Sequence, residues 1–305
     1  MGITGDAMAA NEVIAGLDIG GTKMLGVLID THGTIQTRMR RPTTMRGDTA
    51  VRDSVIDMLG ALIEAGREQG LSTVGIGVGS PGYVDTEHGV IVDATNLAVL
   101  NLPLAPIISE TFGLNAIVMH DVKAAALAEA HLGAGAGARH VAFLNIGTGI
   151  AVGLILDGRV FQGAGSRAGE IGHVVMVPDG PPCPCGLRGC LEMLAAGPAI
   201  ARIARERVRS YPGSLIGTLV EGDHDAITAE IVAEAARQND ALAVEVIAQA
   251  ANYVGLAIAG MINVLDLEYV IVGGGMAQMG ELLLGPIRTA TQRYALSEYR
   301  DPVPI

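Results

Sequence analysis

The sequence contains no tryptophan, three phenylalanines and six tyrosines, so aromatic residues make up only 3% of its 305 residues. Half of the residues are hydrophobic, and we therefore expect alanine, valine, leucine and isoleucine to fill the core. The only three cysteines, Cys183, Cys185 and Cys190, fall within eight residues. That spacing indicates a metal site rather than a disulfide framework.

Basic residues are also scarce, with 20 Lys and Arg against 32 Asp and Glu and a net charge of −12. This balance argues against a surface for nucleic acid or anionic membranes, but it is compatible with a small anion bound through a metal and backbone amides. No unbroken apolar run approaches the roughly 20 residues of a membrane helix. The first twelve residues lack the basic and apolar regions of a signal peptide. We therefore predict a cytoplasmic protein.

The segment 17–30, LDIGGTKMLGVLID, predicts two apolar strands joined by a tight turn. Adjacent glycines let the backbone turn sharply, and outward N–H groups beside a hydroxyl suit a phosphate. An acidic residue at such a turn makes sense if a divalent cation lies between it and the phosphate. An ordinary hairpin stays the alternative. The candidate ligands of the phosphate and its cation are Asp18, Gly20, Gly21, Thr22 and Lys23.

The segment 144–157, LNIGTGIAVGLILD, repeats this pattern and aligns with 17–30 without a gap. Asn145 stands where the first copy has Asp18, so the charge is lost while the size is kept. The repeat predicts two similar halves, each with a glycine-rich hairpin. Two hairpins facing across a cleft could hold the two ends of one polyphosphate, which makes Thr148 and Gly149 further candidates.

The remaining patterns predict strands alternating with helices, which indicates a mixed sheet covered by helices. We place the domain boundary at residue 121, giving a small N-terminal α/β domain, 1–121, and a larger C-terminal one, 122–305, that carries the cysteines. The predicted strands are 34–40, 73–78, 116–119 and 269–272; the predicted helices are 48–69, 103–112, 122–132, 194–209 and 226–262, the last interrupted near Asn239-Asp240.

Asp121 lies where a predicted strand ends and an alanine-rich helix begins. One interpretation is a helix N-cap. Another is a general base, because a carboxylate at the end of a strand can accept a hydroxyl proton as that oxygen attacks phosphorus. Both can hold at once.

The spacing His173-x9-Cys183-x-Cys185-x4-Cys190 is the strongest local pattern in the chain. Three thiolates and an imidazole satisfy tetrahedral zinc, with free buried cysteines as the alternative. Four protein ligands leave no position for water, so we predict a structural zinc and reject a zinc hydrolase. We also reject a di-iron site, because Glu-x-x-His occurs in one copy among glycines.

Two carboxylates, Glu170 and Glu192, flank the predicted zinc ligands. Held together by the metal, they could accept hydrogen bonds from an uncharged polyol; as solvated surface residues they would have no such role. Further along, a predicted strand runs into Gly273-Gly274-Gly275, which would let the backbone approach a flat ligand such as adenosine.

Together these motifs resemble the ROK family of sugar kinases and repressors, within the actin/hexokinase/Hsp70 superfamily. The resemblance runs from about Val13 to Met276 and rests on LDIGGTK, GSPG, HDVKAAALAE, NIGTGI, GEIGH, CPCGLRGCLE and VGGG. It implies a two-domain ribonuclease H-like (actin-like ATPase) α/β fold with a central cleft. The implied activity is ATP-dependent phosphorylation of the 6-hydroxyl of glucose or a related hexose, with Mg²⁺ and a structural zinc.

The resemblance also implies roles for individual residues. Asp121 would take the proton from the sugar hydroxyl, while Gly20 to Lys23 and Thr148-Gly149 would hold phosphates and Gly274-Gly275 the adenosine. It implies a homodimer or a dimer of dimers, and domain closure around the sugar. The implied sugar contacts are Gly82, Asn96, His120, Asp121, Glu170, His173 and Glu192.

Several positions depart from the family pattern. His120 and Lys123 stand where the family usually has asparagines, and Ala151 and Val152 replace glycines that follow the second turn, where they could crowd the phosphates. Family members also continue into a last Gly/Ala-rich helix, whereas here residues 301–305 are predicted to be extended. These departures leave two alternatives open: an N-acylhexosamine (N-acetylglucosamine or N-acetylmannosamine) kinase, and a sugar-binding regulator with weak or no kinase activity.

Overall fold

A computed structural model describes residues 9–43, 46–298 and 303–305. Most of the segment tested for a signal peptide, and residues 301–302 of the predicted extended end, lie outside these ranges. The chain forms two compact units: unit 1 comprises Met1–Ala125 and Gln162–Ala168, and unit 2 comprises Ala126–Phe161 and Gly169–Ile305. The domain assignment 1–121 and 122–305 stays a prediction, because compact packing alone does not define a domain.

Unit 1 is built around a five-stranded mixed sheet in the order β3-β2-β1-β4-β8 and a small antiparallel sheet β5-β6-β7. In the large sheet β1, β4 and β8 are parallel, whereas β2 and β3 are antiparallel to their neighbours. The elements in chain order are β1 (Glu12–Ile19), β2 (Lys23–Ile29), β3 (Ile35–Pro42), α1 (Asp48–Glu68), β4 (Ser72–Ser80), β5 (Tyr83–Asp85), β6 (Val90–Ala94), β7 (Val99–Leu102), α2 (Leu104–Phe112), β8 (Ala116–His120) and the start of α3 (Asp121–Leu132).

Helix α1 packs on the large sheet as its apolar periodicity predicts. Val55, Met58 and Leu62 are fully buried in the core of unit 1. Gly26 on β2 makes room for them, since an added Cβ would lie 3.2 Å from both Met58 and Leu62. The missing side chain therefore lets the helix approach the sheet closely.

The small sheet β5-β6-β7 was not predicted from the sequence. Asn96 lies in a single 3₁₀ turn, Thr95–Leu97, between β6 and β7. These strands have only three to five residues, too few to show a clear alternation of apolar and polar residues.

Unit 2 contains a four-stranded sheet in the order β11-β10-β9-β12, in which only β9 and β12 are parallel. Its helices pack around α8, whose buried residues include Val246, Ala250 and Ile258. The elements are β9 (Val141–Ile146), β10 (Ile150–Leu156), β11 (Arg159–Val160), α4 (Glu192–Ala195), α5 (Gly197–Val208), α6 (Leu215–Leu219), α7 (Ala229–Arg237), α8 (Ala241–Leu265), β12 (Tyr269–Gly273) and α9 (Glu281–Tyr294).

The predicted interruption near residue 239 is confirmed and has a clear cause. Asn239 adopts a left-handed conformation with φ of 62°, which ends α7. Asp240 then caps α8, because its Oδ1 accepts the amide of Ala243 at 2.8 Å.

Among the described residues, α8 is the one helix long and apolar enough to cross a membrane. The prediction concerned unbroken apolar runs, and α8 does not contradict it, because Glu245, Gln249 and Asn252 interrupt the helix. Over half of its most apolar window is buried inside the protein, and central core helices commonly pass the same test. The finding is therefore weak evidence for a membrane span.

The two glycine hairpins are both present, but they do not share one register. In the first, Ile19 pairs with Met24, and the Gly20 amide donates to the Lys23 carbonyl at 2.9 Å. In the second, Ile146 pairs with Ile150. The second turn is therefore one residue shorter, and the alignment without a gap does not hold at the turn.

Candidate active site

Three candidate segments of unit 1 meet at one edge of its large sheet. Asp18 on β1 is paired with Gly79 on β4, and Ser80 at the end of β4 is paired with His120 on β8. Parallel strands present their carboxyl ends at the same edge, where α/β proteins commonly bind ligands. The lack of a side chain at Gly79 lets β4 pack close to the start of α3, because an added Cβ would lie 3.5 Å from the Cα of Asp121.

Asp121 is the first residue of α3, and its side chain is 40% exposed. Its Oδ1 accepts the amide of the next residue, Val122, at 2.7 Å and lies 3.3 Å from Nδ1 of His120. The carboxylate is therefore fixed in orientation but still reachable by a ligand. This is not the contact of an N-cap, whose side chain accepts an amide two or three residues further along, so the general-base interpretation alone stays a prediction.

The carboxylate of Asp18 shares this edge with Asp121. Partial burial raises the pKa of Asp18, the negative charge of Asp121 raises it further, and Lys23 lowers it. Two acids that repel one another beside a glycine turn form a favourable place for a divalent cation.

The first turn, Gly20 to Lys23, depends on its glycines. A Cβ on Gly20 would lie 2.7 Å from the Lys23 carbonyl oxygen that accepts its amide. A Cβ on Gly21 would meet nothing within 4 Å, so space is open beside the turn. This combination suits the close approach of an anion.

Gly82 and Asn96 are linked through the small sheet. Gly82 has φ of 85°, and an added Cβ would lie 2.8 Å from the Cα of Ala94 and would clash with the Asp93 carbonyl. Only glycine fits here. The exposed Asn96 follows Ala94 by two residues, so the position of Gly82 is fixed against the strand that leads into Asn96.

In unit 2, the second glycine turn is tied to Glu192. The Gly147 amide donates to the Gly149 carbonyl at 2.9 Å, and the Ile150 amide donates to Glu192 Oε2 at 3.0 Å. A Cβ on Gly149 would lie 2.6 Å from the same Oε2. The sequence predicts Glu192 only as a sugar contact or a surface residue; its contact with the turn that contains Thr148 was not predicted.

The candidate adenosine segment lies beside the same turn. Gly274 has φ of 87°, and an added Cβ would lie 2.7 Å from Oδ1 of Asn145 and 2.8 Å from the carbonyl carbon of Ile146. A Cβ on Gly275 would meet nothing within 4 Å. Val152, which we expected to crowd phosphates, is instead buried in the core of unit 2, and Ala151 is half-buried on β10.

The cysteine–histidine cluster assembles as its spacing predicts. The ligand atoms of His173, Cys183, Cys185 and Cys190 lie within 4.8 Å of one another. Cys185 Sγ lies 3.7 Å from Cys190 Sγ, and Cys183 Sγ lies 3.7 Å from His173 Nδ1. Zn–S bonds of about 2.3 Å at tetrahedral angles place sulfurs about 3.8 Å apart, so the residues fit zinc.

The thiols of this cluster differ in acidity. Burial raises the pKa of Cys190 to about 12, and the adjacent thiols of Cys185 and Cys183 add to the rise. A hydrogen bond from the Leu187 amide is the largest cause that lowers the pKa of the exposed Cys185, and a hydrogen bond with Cys183 lowers it further. A metal would favour the thiolate form of every cysteine ligand. Next to the cluster, exposed Glu170 begins the 3₁₀ turn Ile171–His173, and its carbonyl accepts the His173 amide at 3.0 Å.

The family profile for ROK proteins matches residues 14–305. The chain belongs to the ROK family. It is 35% identical to the glucokinase of Halalkalibacterium halodurans over 94% of this chain and 87% of that protein. The structure of a ROK glucokinase from Streptomyces griseus in complex with glucose and AMPPNP aligns with a TM-score of 0.77 and 33% identity, over 93% of this chain and 90% of that one.

ROK membership also includes regulators. The structure of a ROK transcriptional regulator homologous to MLC of E. coli aligns with a TM-score of 0.87 and 28% identity, over 96% of this chain and 73% of that one. The ROK fold expected from the motifs, an α/β fold of the actin-like ATPase type, is confirmed by these solved structures.

Proposed function

We propose that this protein is an ATP-dependent kinase that phosphorylates the 6-hydroxyl of glucose. The observation that carries the proposal is the position of Asp121 at the carboxyl end of β8, beside Asp18 and within reach of solvent. The similarity of the chain to glucokinases of about the same length supports glucose as the substrate.

In the proposed reaction, the sugar is held in unit 1 by Gly82, Asn96 and His120. Asp121 accepts the proton of the 6-hydroxyl as that oxygen forms a bond to the γ-phosphorus. The bond between this phosphorus and the bridging oxygen breaks, so ADP leaves with the electron pair. The products are the sugar 6-phosphate, ADP and a proton that Asp121 releases to water.

Nucleotide binding is assigned to the glycine segments. The turn Gly20 to Lys23 and the turn containing Thr148 and Gly149 would hold phosphates, and Gly274-Gly275 would approach the adenosine. Asp18 would orient a hydrated Mg²⁺, which neutralises phosphate charge when it is bound.

In unit 2, Glu170, His173 and Glu192 are assigned to the sugar hydroxyls. His173, Cys183, Cys185 and Cys190 would hold a structural zinc that fixes Glu170, one turn from His173. His173 can serve both roles because one ring nitrogen binds the metal and the other donates a hydrogen bond.

A panel of sugars tests the proposed substrate. Coupled ADP release is measured with glucose, mannose, allose, N-acetylglucosamine and N-acetylmannosamine. The proposal expects the highest kcat/KM with glucose, and it expects Asp121→Asn to lose about 10²- to 10⁴-fold in kcat while still binding glucose. A preference for either N-acetyl sugar would support the N-acylhexosamine alternative, and near-normal turnover of the variant would exclude Asp121 as the base.

The similarity to ROK regulators supports one competing function, sugar binding without turnover. Glucose binding in calorimetry combined with no ADP release would favour this regulator and contradict the kinase. We further propose that the protein is cytoplasmic and forms a homodimer or a dimer of dimers. Light scattering after gel filtration tests the oligomeric state.

A further inference from the structure

Lysine is nearly absent from this chain, which contains only Lys23 and Lys123. Lys23 is exposed at the end of the first glycine turn. Lys123 is 97% buried, with a relative exposure of 3%. A buried ammonium group is costly unless hydrogen bonds replace its water, so the contacts of Lys123 indicate why it is there.

Lys123 holds a segment that is distant in sequence. Its Nζ donates to Oε1 of Gln162 at 3.0 Å and to the carbonyl of Ser166 at 2.8 Å. Both acceptors belong to Gln162–Ala168, the stretch that packs with unit 1 although its sequence neighbours belong to unit 2. We name this segment the clasp.

The clasp has a second anchor and an internal closure. The guanidinium of Arg167 lies 4.4 Å from the ring centroid of Tyr83, a cation–π contact. The Ala168 amide donates to the Gln162 carbonyl at 3.1 Å, which closes the segment into a compact loop. The clasp is therefore a small folded element held at two points.

Each attachment adjoins a proposed sugar contact. Lys123 lies two residues after Asp121, and Tyr83 directly follows Gly82. Two proposed sugar contacts of unit 1 are thus connected through one element.

We propose that the clasp sets the affinity for the sugar and that Lys123 acts as its positioning residue. This inference rests on the proposed function and deepens it. Loss of an anchor loosens the clasp against Tyr83 or against the start of α3, so Gly82 and Asp121 are no longer held together for the sugar. The anchors do not involve the two glycine turns, so nucleotide affinity stays unchanged.

Steady-state kinetics tests the first consequence. Lys123→Met and Arg167→Ala each remove one anchor, and the second variant changes an exposed side chain. Both should raise KM for glucose about tenfold, with KM for ATP changed less than about twofold. The control Arg207→Met breaks an ion pair with Glu245, remote in sequence from the proposed site, and should leave both constants unchanged. Unchanged glucose KM in Arg167→Ala, or equal losses for both substrates, would overturn the proposal.

Amine labelling tests the clasp without turnover, so it separates failure of this inference from failure of the kinase assignment. With two lysines, mass spectrometry reports each site directly. Lys23 should react at least about tenfold faster than Lys123, since only exposed amines meet the reagent. Arg167→Ala should raise the labelling rate of Lys123 and leave that of Lys23 unchanged. Equal rates in the wild-type protein, or no change in the variant, would show that the clasp does not enclose Lys123.

Discussion

Nδ1 of His120 lies 3.3 Å from Oδ1 of Asp121, so an imidazole is the immediate neighbour of the proposed base. The family resemblance leads us to expect asparagine at this position. His120 is only 21% exposed, and its pairing with Ser80 fixes the backbone from which the ring extends. The ring therefore forms part of the wall beside Asp121.

We expect His120→Asn to change sugar selectivity. The shorter amide leaves space beside Asp121 and offers a different hydrogen-bond pattern to the sugar. The ratio of kcat/KM for glucose to that for N-acetylglucosamine should change roughly fivefold or more, because one contact in a binding pocket is commonly worth that much. KM for ATP is the internal control. An unaltered ratio across the sugar panel would mean that His120 does not contact the sugar.

Glu192→Gln should weaken nucleotide binding as well as sugar binding. The carboxylate accepts the Ile150 amide at 3.0 Å, and a charged acceptor makes a stronger hydrogen bond than an amide oxygen. Loosening the turn that contains Thr148 should raise KM for ATP about threefold to tenfold.

Glu170→Gln is the matched comparison for this effect. It removes the same charge from an exposed residue at the start of a 3₁₀ turn, and among the described residues no hydrogen bond joins its side chain to the second glycine turn. We expect KM for glucose alone to rise. If both variants affected only glucose, the contact between Glu192 and the turn would have no role in binding ATP.

The sequence predicted the parts of this site that depend on local chemistry. Glycine turns and a Cys–His spacing are set by a few adjacent residues, and the structure assembles both hairpins and the four-residue cluster. The register of the second turn was not predictable in this way, because one residue fewer in the loop leaves the glycine pattern unchanged. The contacts of Lys123 join residues about 40 positions apart, and no local pattern marks them.

Cys185→Ser should release the zinc and weaken glucose binding without removing ATP binding. Cys185 is the exposed member of the cluster, and its loss leaves three ligands for the metal. Glucose KM should rise about tenfold or more, since groups that orient a site commonly contribute that much. Zinc content by atomic absorption and nucleotide affinity by calorimetry are the two readouts. A metal-free variant with wild-type glucose affinity would contradict the role assigned to zinc.

Asp18→Asn should slightly stabilise the protein at neutral pH while lowering its activity. Folding raises the pKa of Asp18 above its ordinary value of 3.8. The group therefore favours folding below pH 3.8, and this contribution is lost as the pH rises through the raised pKa. At pH 7 the charged form therefore opposes folding, and its removal should raise Tm by on the order of 1 °C, a small value because the residue is partly exposed.

Asp30→Asn supplies a control of opposite sign. Hydrogen bonds from the amides of Thr34 and His32 lower the pKa of Asp30 below its ordinary value of 3.8. Its charge therefore favours folding above pH 3.8, and this contribution is lost as the pH falls through the lowered pKa. Its removal should lower Tm at pH 7. Thermal unfolding at pH 7 and pH 4 should show the two variants on opposite sides of the wild-type protein, with the difference narrowing in acid. A drop in Tm for Asp18→Asn at pH 7 would mean that its charge is already compensated inside the protein.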